Sequence, residues 1–238
     1  KAVMMIYDAS PLGIYALQSS GIRTPADLAG RTLGGPATDA SFRLFPAFAT
    51  HEGVDPASVT RIDIGAGRRE AMLLQGEVDV ISGYYFSVML KLASMGVDPR
   101  SVVVMLYKDH GLDFYGNAVI ASDHFIAEHP GAVAAFNRAV TRAMHDLMAD
   151  PYGAIEMVHA RHPQIDAERE KQRLTLALAV NILTTRVWDA GFGDVDPERL
   201  ARSIDQLAGA LSLEQKPTVD MVWTDRFLPE PSARKLGG

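Results

Sequence analysis

From residue 24 onward, short apolar runs of strand length alternate with amphipathic stretches of helical period. Such alternation is how βα units around a mainly parallel sheet appear in a sequence, so the fold class is α/β. Thr24-Pro25 supplies an N-cap and a proline at the first helical position, predicting a short helix that ends near Gly30. Strands are predicted over 32–35, 59–64, 78–82 and 102–107, and helices over 68–75 and 86–95, closed by Gly76 and Gly96. Phe42, Phe45, Phe48 and Ala49 share one face of a further helix, which Pro46 bends because it lacks an amide hydrogen.

An apolar run over 2–7 predicts a strand at the very start, bounded by Asp8, Ser10 and Pro11. A chain that opens on Lys1 and runs straight into a strand carries the expectation of a further segment upstream. Past a polar loop at 109–116 and an apolar stretch at 117–121, the pattern turns mostly helical. Val133, Phe136, Val140, Met144 and Leu147 form an apolar stripe expected to face the core, with Arg138, Arg142 and Asp146 on the opposite face. Further helices are predicted over 152–160, 167–183 and 197–211.

Composition narrows the function. With 238 residues and 47% hydrophobic content, the chain is long enough for one large or two medium domains. A formal charge of -6 with no basic run argues against nucleic acid or an anionic membrane surface as partner and favours a small solute. The absence of cysteine excludes disulfides, thiolate nucleophiles and cysteine-based metal sites. No apolar stretch approaches the roughly 18–20 residues of a membrane-spanning helix. Nucleophile-elbow, phosphate-loop, dinucleotide-fingerprint and H-E-x-x-H motifs are missing, and His159 and His162 lack a nearby third ligand. Neither a metal nor a cofactor is expected.

In an open parallel sheet, ligands sit beyond the carboxyl ends of strands. Three loops qualify. The first, at 34–41, pairs Gly34 and Gly35 with a helix start whose amides and hydroxyls (Thr38, Ala40, Ser41) could hold an anionic or polar group. Asp39 complicates a bare anion, because its carboxylate either caps those amides or receives a cation. Arg43, one turn into the helix, is expected to be structural. The second loop presents Gly83, Tyr84 and Tyr85 as a flat, hydrogen-bonding platform, with Phe86 assigned to the core. The third, containing Asp113 and Tyr115, reads as a hinge.

Four runs, TPADLAGRTLGGPATDASFRLFPAFA, REAMLLQGEVDVISGYYFS, DHGLDFYGNAVIAS and FLPEPSARKL, resemble the substrate-binding proteins of ABC importers for nitrate, sulfonates, taurine and thiamine-pyrimidine precursors. The resemblance covers nearly the whole chain. It implies a type II periplasmic binding-protein fold of two α/β lobes and a hinge, with residues 1–20 and 116–238 in an incomplete first lobe and 21–115 in the second. It also implies an exported, extracytoplasmic monomer with a signal peptide in its precursor, which captures one solute between the lobes and passes it to a membrane permease. Tyr7, Asp8 and Ser10 would then face the loops of the second lobe. Asp39 and Asp113 suit an amine-bearing, zwitterionic or pyrimidine-like solute, with or without a sulfonate, better than nitrate. The alternatives are a pyrimidine-synthase-like enzyme of thiamine biosynthesis, which in that group relies on a cysteine-rich motif lacking here, and a ligand-sensing domain.

Overall fold

The computed structural model describes residues 1–65, 67–211 and 213–237. Two compact units emerge, the first made of residues 1–10, 115–204 and 217–238, the second of 11–114 and 205–216. The chain starts in the first unit with β1 (Ala2–Met5). It then builds the second unit from β2 (Leu12–Leu17), β3 (Thr32–Gly35), α1 (Ala40–Arg43), α2 (Phe45–His51), β4 (Thr60–Asp63), α3 (Arg69–Gln75), β5 (Val80–Tyr84), α4 (Tyr85–Ser94) and β6 (Val102–Leu106).

The second unit is a five-stranded sheet in the order β4-β3-β5-β2-β6. β3 lies parallel to β4 and β5, whereas β2 runs antiparallel to both β5 and β6. Leu12, Ile14 and Ala16 of β2 pack with Phe42, Phe45 and Phe48 of α1 and α2 on one face. Tyr15 packs with Leu73, Val88, Met89 and Leu92 of α3 and α4 on the other. The sheet is thus covered on both faces, as a mostly parallel sheet requires.

β2 corrects the expected division of the chain. The expected first lobe includes residues 11–20, but β2 inserts between β5 and β6 and is buried along nearly its whole length. A strand covered on both faces has no polar alternation to announce it. Residues 205–216 also join the second unit, where Leu207 and Ala210 pack against its larger core cluster. The phenylalanine-bearing helix is broken rather than bent. α1 ends at Leu44, and Pro46 sits in the first turn of α2, where a missing amide hydrogen costs nothing. Gly76 and Gly96 adopt positive φ just beyond α3 and α4, matching the expected stops.

The first unit resumes with β7 (Ala118–Ile120), α5 (Asp123–Glu128), α6 (Pro130–Ala149), α7 (Pro151–Arg161), α8 (Ala167–Ala177), α9 (Thr185–Ala190), α10 (Pro197–Ala210) and α11 (Val219–Val222). The boundary between units falls inside α10. β7 pairs antiparallel with β1, and one π-helical turn, Leu178–Ile182, extends α8.

α6 modifies the expected stripe. Its buried line is Val133, Asn137, Thr141 and Met144, while Phe136 is 54% exposed. Asn137 belongs inside because its side-chain amide donates to the carbonyls of Val3 at 2.8 Å and Phe227 at 3.1 Å. One polar side chain thereby pins β1 and the C-terminal segment to α6 through its amide hydrogens, a contact that an apolar-stripe reading passes over. The FLPEPSARKL run has a similar role. Phe227 packs with Val3 and Val133, and buried Arg234 donates to the carbonyls of Phe192 at 3.1 Å and Pro229 at 2.9 Å.

Candidate functional site

β3 and β5 are parallel neighbours, with Gly34 opposite Ile81, so the segments that leave their carboxyl ends emerge side by side. The first is the turn at 36–41 that carries Thr38, Asp39, Ala40 and Ser41. The second is not the loop the sequence suggested: Gly83 and Tyr84 end β5, which is paired with β2 up to Tyr84, and the chain passes directly into α4 at Tyr85. Close approach demands glycine at two points. A Cβ on Gly35 would collide with Ser82 Oγ and Phe42, and one on Gly83 with the Arg69 guanidinium and Val88.

The amides expected to be open to an anion are largely taken. Ala37 donates its N–H to Asp63 Oδ1 at 2.8 Å, Asp39 to the Pro36 carbonyl at 2.9 Å, and Ser41 to Asp39 Oδ1 at 2.8 Å. Asp39 is therefore the N-cap of α1. Two carboxylates at this turn would repel a bare anion. The second oxygen of Asp39, Oδ2, lies 3.7 Å from Arg69 Nη1, and the side chain stays 20% exposed. Thr38 is exposed, whereas Ser41 and Ser82 are fully buried. Their hydroxyls have no hydrogen-bond partner among the described residues.

Tyr84 and Tyr85 are half-buried, and Tyr84 meets Phe86 edge-on with ring centroids 5.9 Å apart. Phe86 is buried, as expected of a core residue. Asp113 is exposed. Beneath the turn, the Tyr107 hydroxyl donates to the Ser41 carbonyl at 2.6 Å. Burial pushes the hydroxyls of Tyr107 and Tyr15 well above the usual tyrosine range, partly offset for Tyr15 by nearby Arg69. A pKa raised in the folded state stabilises the protein fully below the unfolded value, about 10, and this stability is lost as pH rises beyond it. Urea midpoints are therefore expected to fall steeply above about pH 10. A flat profile in both the wild type and Tyr15→Phe would contradict this.

The residues expected to act in the first unit occupy a different setting. Asp8 is buried, its Oδ2 accepting from Thr184 Oγ1 at 2.6 Å and lying 3.4 Å from Arg199 Nη1. Its Oδ1 lies 3.4 Å from Arg186 Nη1, and its carbonyl accepts from Arg199 Nη2 at 2.7 Å. Ala9 is clamped by Asn181, which accepts its N–H at 2.9 Å and donates to its carbonyl at 3.1 Å. Ser10 is buried beside them.

Tyr115 accepts the Asp196 amide at 2.7 Å, with the Arg199 guanidinium 3.9 Å above its ring. Tyr7 and Tyr115 are both half-buried, and burial raises both hydroxyl pKa values against the opposing pull of nearby arginines. Asp8 and Tyr115 are thus committed to the protein's own cations and amides.

A family model described as NMT1/THI5 like matches residues 1–154. The chain belongs to the NMT1/THI5-like family. Among curated relatives, it is 27% identical over 235 residues to the riboflavin-binding protein RibY of Chloroflexus aurantiacus, covering 96% of this chain and 65% of that protein. It is 30% identical over 147 residues to a 4-amino-5-hydroxymethyl-2-methylpyrimidine phosphate synthase of Schizosaccharomyces pombe, covering 58% and 42% respectively. The chain therefore spans less than two thirds of either relative.

Among solved structures, the periplasmic aliphatic sulphonate binding protein SsuA of Escherichia coli superposes with a TM-score of 0.70 at 16% identity, over 94% of this chain and 69% of that one. The fold of this NMT1/THI5-like chain is that of the type II periplasmic binding proteins.

Sequence reasoning missed the charged residues that support both groups. Arg69 and Glu70 stand at the start of α3 and are buried, as is Arg199 in α10. Asn181 comes from a stretch read only as helix, and Arg186 from one to which the sequence assigned no element. The one available signal was the paired charge of Arg69-Glu70 at a helix start otherwise followed by an apolar run. The partners of these residues are remote in sequence, so spacing could not reveal them.

Proposed function

We propose that this protein is the solute-binding component of an ABC importer, working outside the cytoplasm. It captures a small ligand that presents N–H donors on a flat ring and delivers it to a membrane permease without making or breaking a bond. The observation that carries this reading is the turn at 36–41, where the Asp39 side chain, 20% exposed, spends one carboxylate oxygen on the Ser41 amide and holds the second 3.7 Å from Arg69 Nη1. A part-exposed carboxylate beside amides that are already engaged selects a donor and disfavours a sulfonate or nitrate.

Tyr84, at the end of the neighbouring strand, and Tyr85, at the start of α4, supply flat surface for the body of a ring. Thr38, Ala40, Ser41 and Gly83 complete that wall, with Asp113 as a further acidic residue of the same unit. Kinship with a riboflavin-binding protein along nearly the whole chain supports a nitrogen heterocycle as ligand.

A thermal-shift series with riboflavin, an aminopyrimidine, taurine, an alkanesulfonate and nitrate tests the class. A ligand at a hundredfold over its Kd stabilises by about 2.7 kcal/mol. The heterocycles are expected to raise the melting temperature and the bare anions to leave it unchanged. Asp39→Asn keeps a capping side chain but removes the charge, and should weaken the bound heterocycle about tenfold or more. Stabilisation by the anions alone, or an unaltered affinity in Asp39→Asn, would overturn the assignment.

A further inference from the structure

Arg69 begins α3 almost wholly enclosed, its side chain 8% exposed and that of Glu70 3%. Its guanidinium works in three directions. Nε and Nη2 both donate to one oxygen of Glu70, at 3.0 and 2.6 Å. Nη1 donates to the Ser82 carbonyl at 2.9 Å and lies 3.7 Å from Asp39 Oδ2. Gly83 has no side chain where Nη1 would meet one. A single side chain therefore touches both the turn that leaves β3 and the carboxyl end of its neighbour β5.

A buried ion pair is a poor source of stability, because two charges must be stripped of water. Glu70 by itself would satisfy such a pair. The reach of Nη1 to a carbonyl near the end of β5 and towards a second carboxylate calls for another role. Asp39, Glu70 and Arg69 together carry one net negative charge, so Arg69 can orient Asp39 without cancelling the charge of the cluster.

We infer that Arg69 is a positioning residue of the proposed ligand subsite. It ties the turn at 36–41 to the junction of β5 and α4 at 82–85, holds Asp39 Oδ2 in place, and leaves enough negative charge there to select an N–H donor. This inference rests on the binding function proposed above.

The test uses the double variant Arg69→Met/Glu70→Leu, which exchanges the ion pair for apolar side chains of similar length, a replacement that often preserves stability. Amide hydrogen exchange of the unliganded protein is read at residues 37–44 and 83–86, with residues 33–34 and 80–81 as internal controls. Exchange in these two segments should rise about tenfold or more while the strand controls keep their protection. The affinity for whichever of riboflavin or the aminopyrimidine binds the wild type should fall about tenfold or more at a near-normal melting temperature.

Unchanged exchange in both segments of a stable double variant would overturn the inference, since a merely structural ion pair would leave them as they were. Should the double variant not fold, Arg69→Lys decides the question by the same exchange, because one ammonium cannot reproduce a fork that serves Glu70 and Ser82 together. If the wild type binds neither probe, the binding function itself fails, and exchange in the two segments alone still decides the positioning role.

Discussion

Replacing Asp8 by alanine is expected to cost about 3–5 kcal/mol of stability, the usual result of removing one partner from a buried ionic cluster. The side chain is only 6% exposed and serves Arg186 and Arg199, each at 3.4 Å, and the Thr184 hydroxyl at 2.6 Å. Removing the carboxylate takes away the counter-charge that both arginines share and opens a hole beneath the turn at 7–10. Asp8→Asn keeps the volume, so an equal loss in both variants would assign the effect to charge. Urea unfolding is the measurement, and a loss below about 1 kcal/mol in Asp8→Ala would show that the cluster is solvated rather than buried.

In the second unit, Phe48→Ala is expected to destabilise by a similar amount, about 3–5 kcal/mol. Phe48 is fully buried, stacks on Tyr107 with centroids 4.6 Å apart, and meets His110 edge-on at 5.3 Å. Truncation removes that contact area and leaves a cavity that the covered sheet face cannot close. Because Tyr107 supports the Ser41 carbonyl from below, ligand affinity should fall together with stability. Phe48→Leu fills more of the space and should recover part of both losses. Unfolding midpoints equal to wild type in Phe48→Ala would refute the packing assigned to this face.

Much of the second unit was legible because local signals and tertiary demands agree. Thr24 is the expected N-cap with Pro25 in the first turn, Thr32–Gly35 is a strand, and Gly76 and Gly96 end their helices at positive φ. β2 was not legible, since burial on both faces removes the alternation that marks a half-exposed strand. Phe136 was misplaced for a related reason. Helical period identifies an apolar stripe but cannot tell that Asn137, whose amide satisfies two carbonyls, displaces that stripe from the interior.

The turn at 36–41 was visible as a candidate from its glycines, its hydroxyls and Asp39, and the sequence left cap and ligand contact as alternatives. The structure gives the cap to one oxygen of Asp39 and leaves the other beside Arg69. Asp8 was equally visible, but its neighbours Thr184, Arg186 and Arg199 lie about 180 residues away and nothing in local spacing links them.

By itself, then, the sequence determined the α/β class, most element boundaries and the loops worth inspecting, because periodicity, caps and turn residues are local properties of the chain. Only the tertiary structure decided which unit owns β2, which charged side chains are buried, and which oxygen of Asp39 caps α1. Those outcomes depend on desolvation and on partners remote in sequence, and a charge's environment exists only once the chain has folded around it.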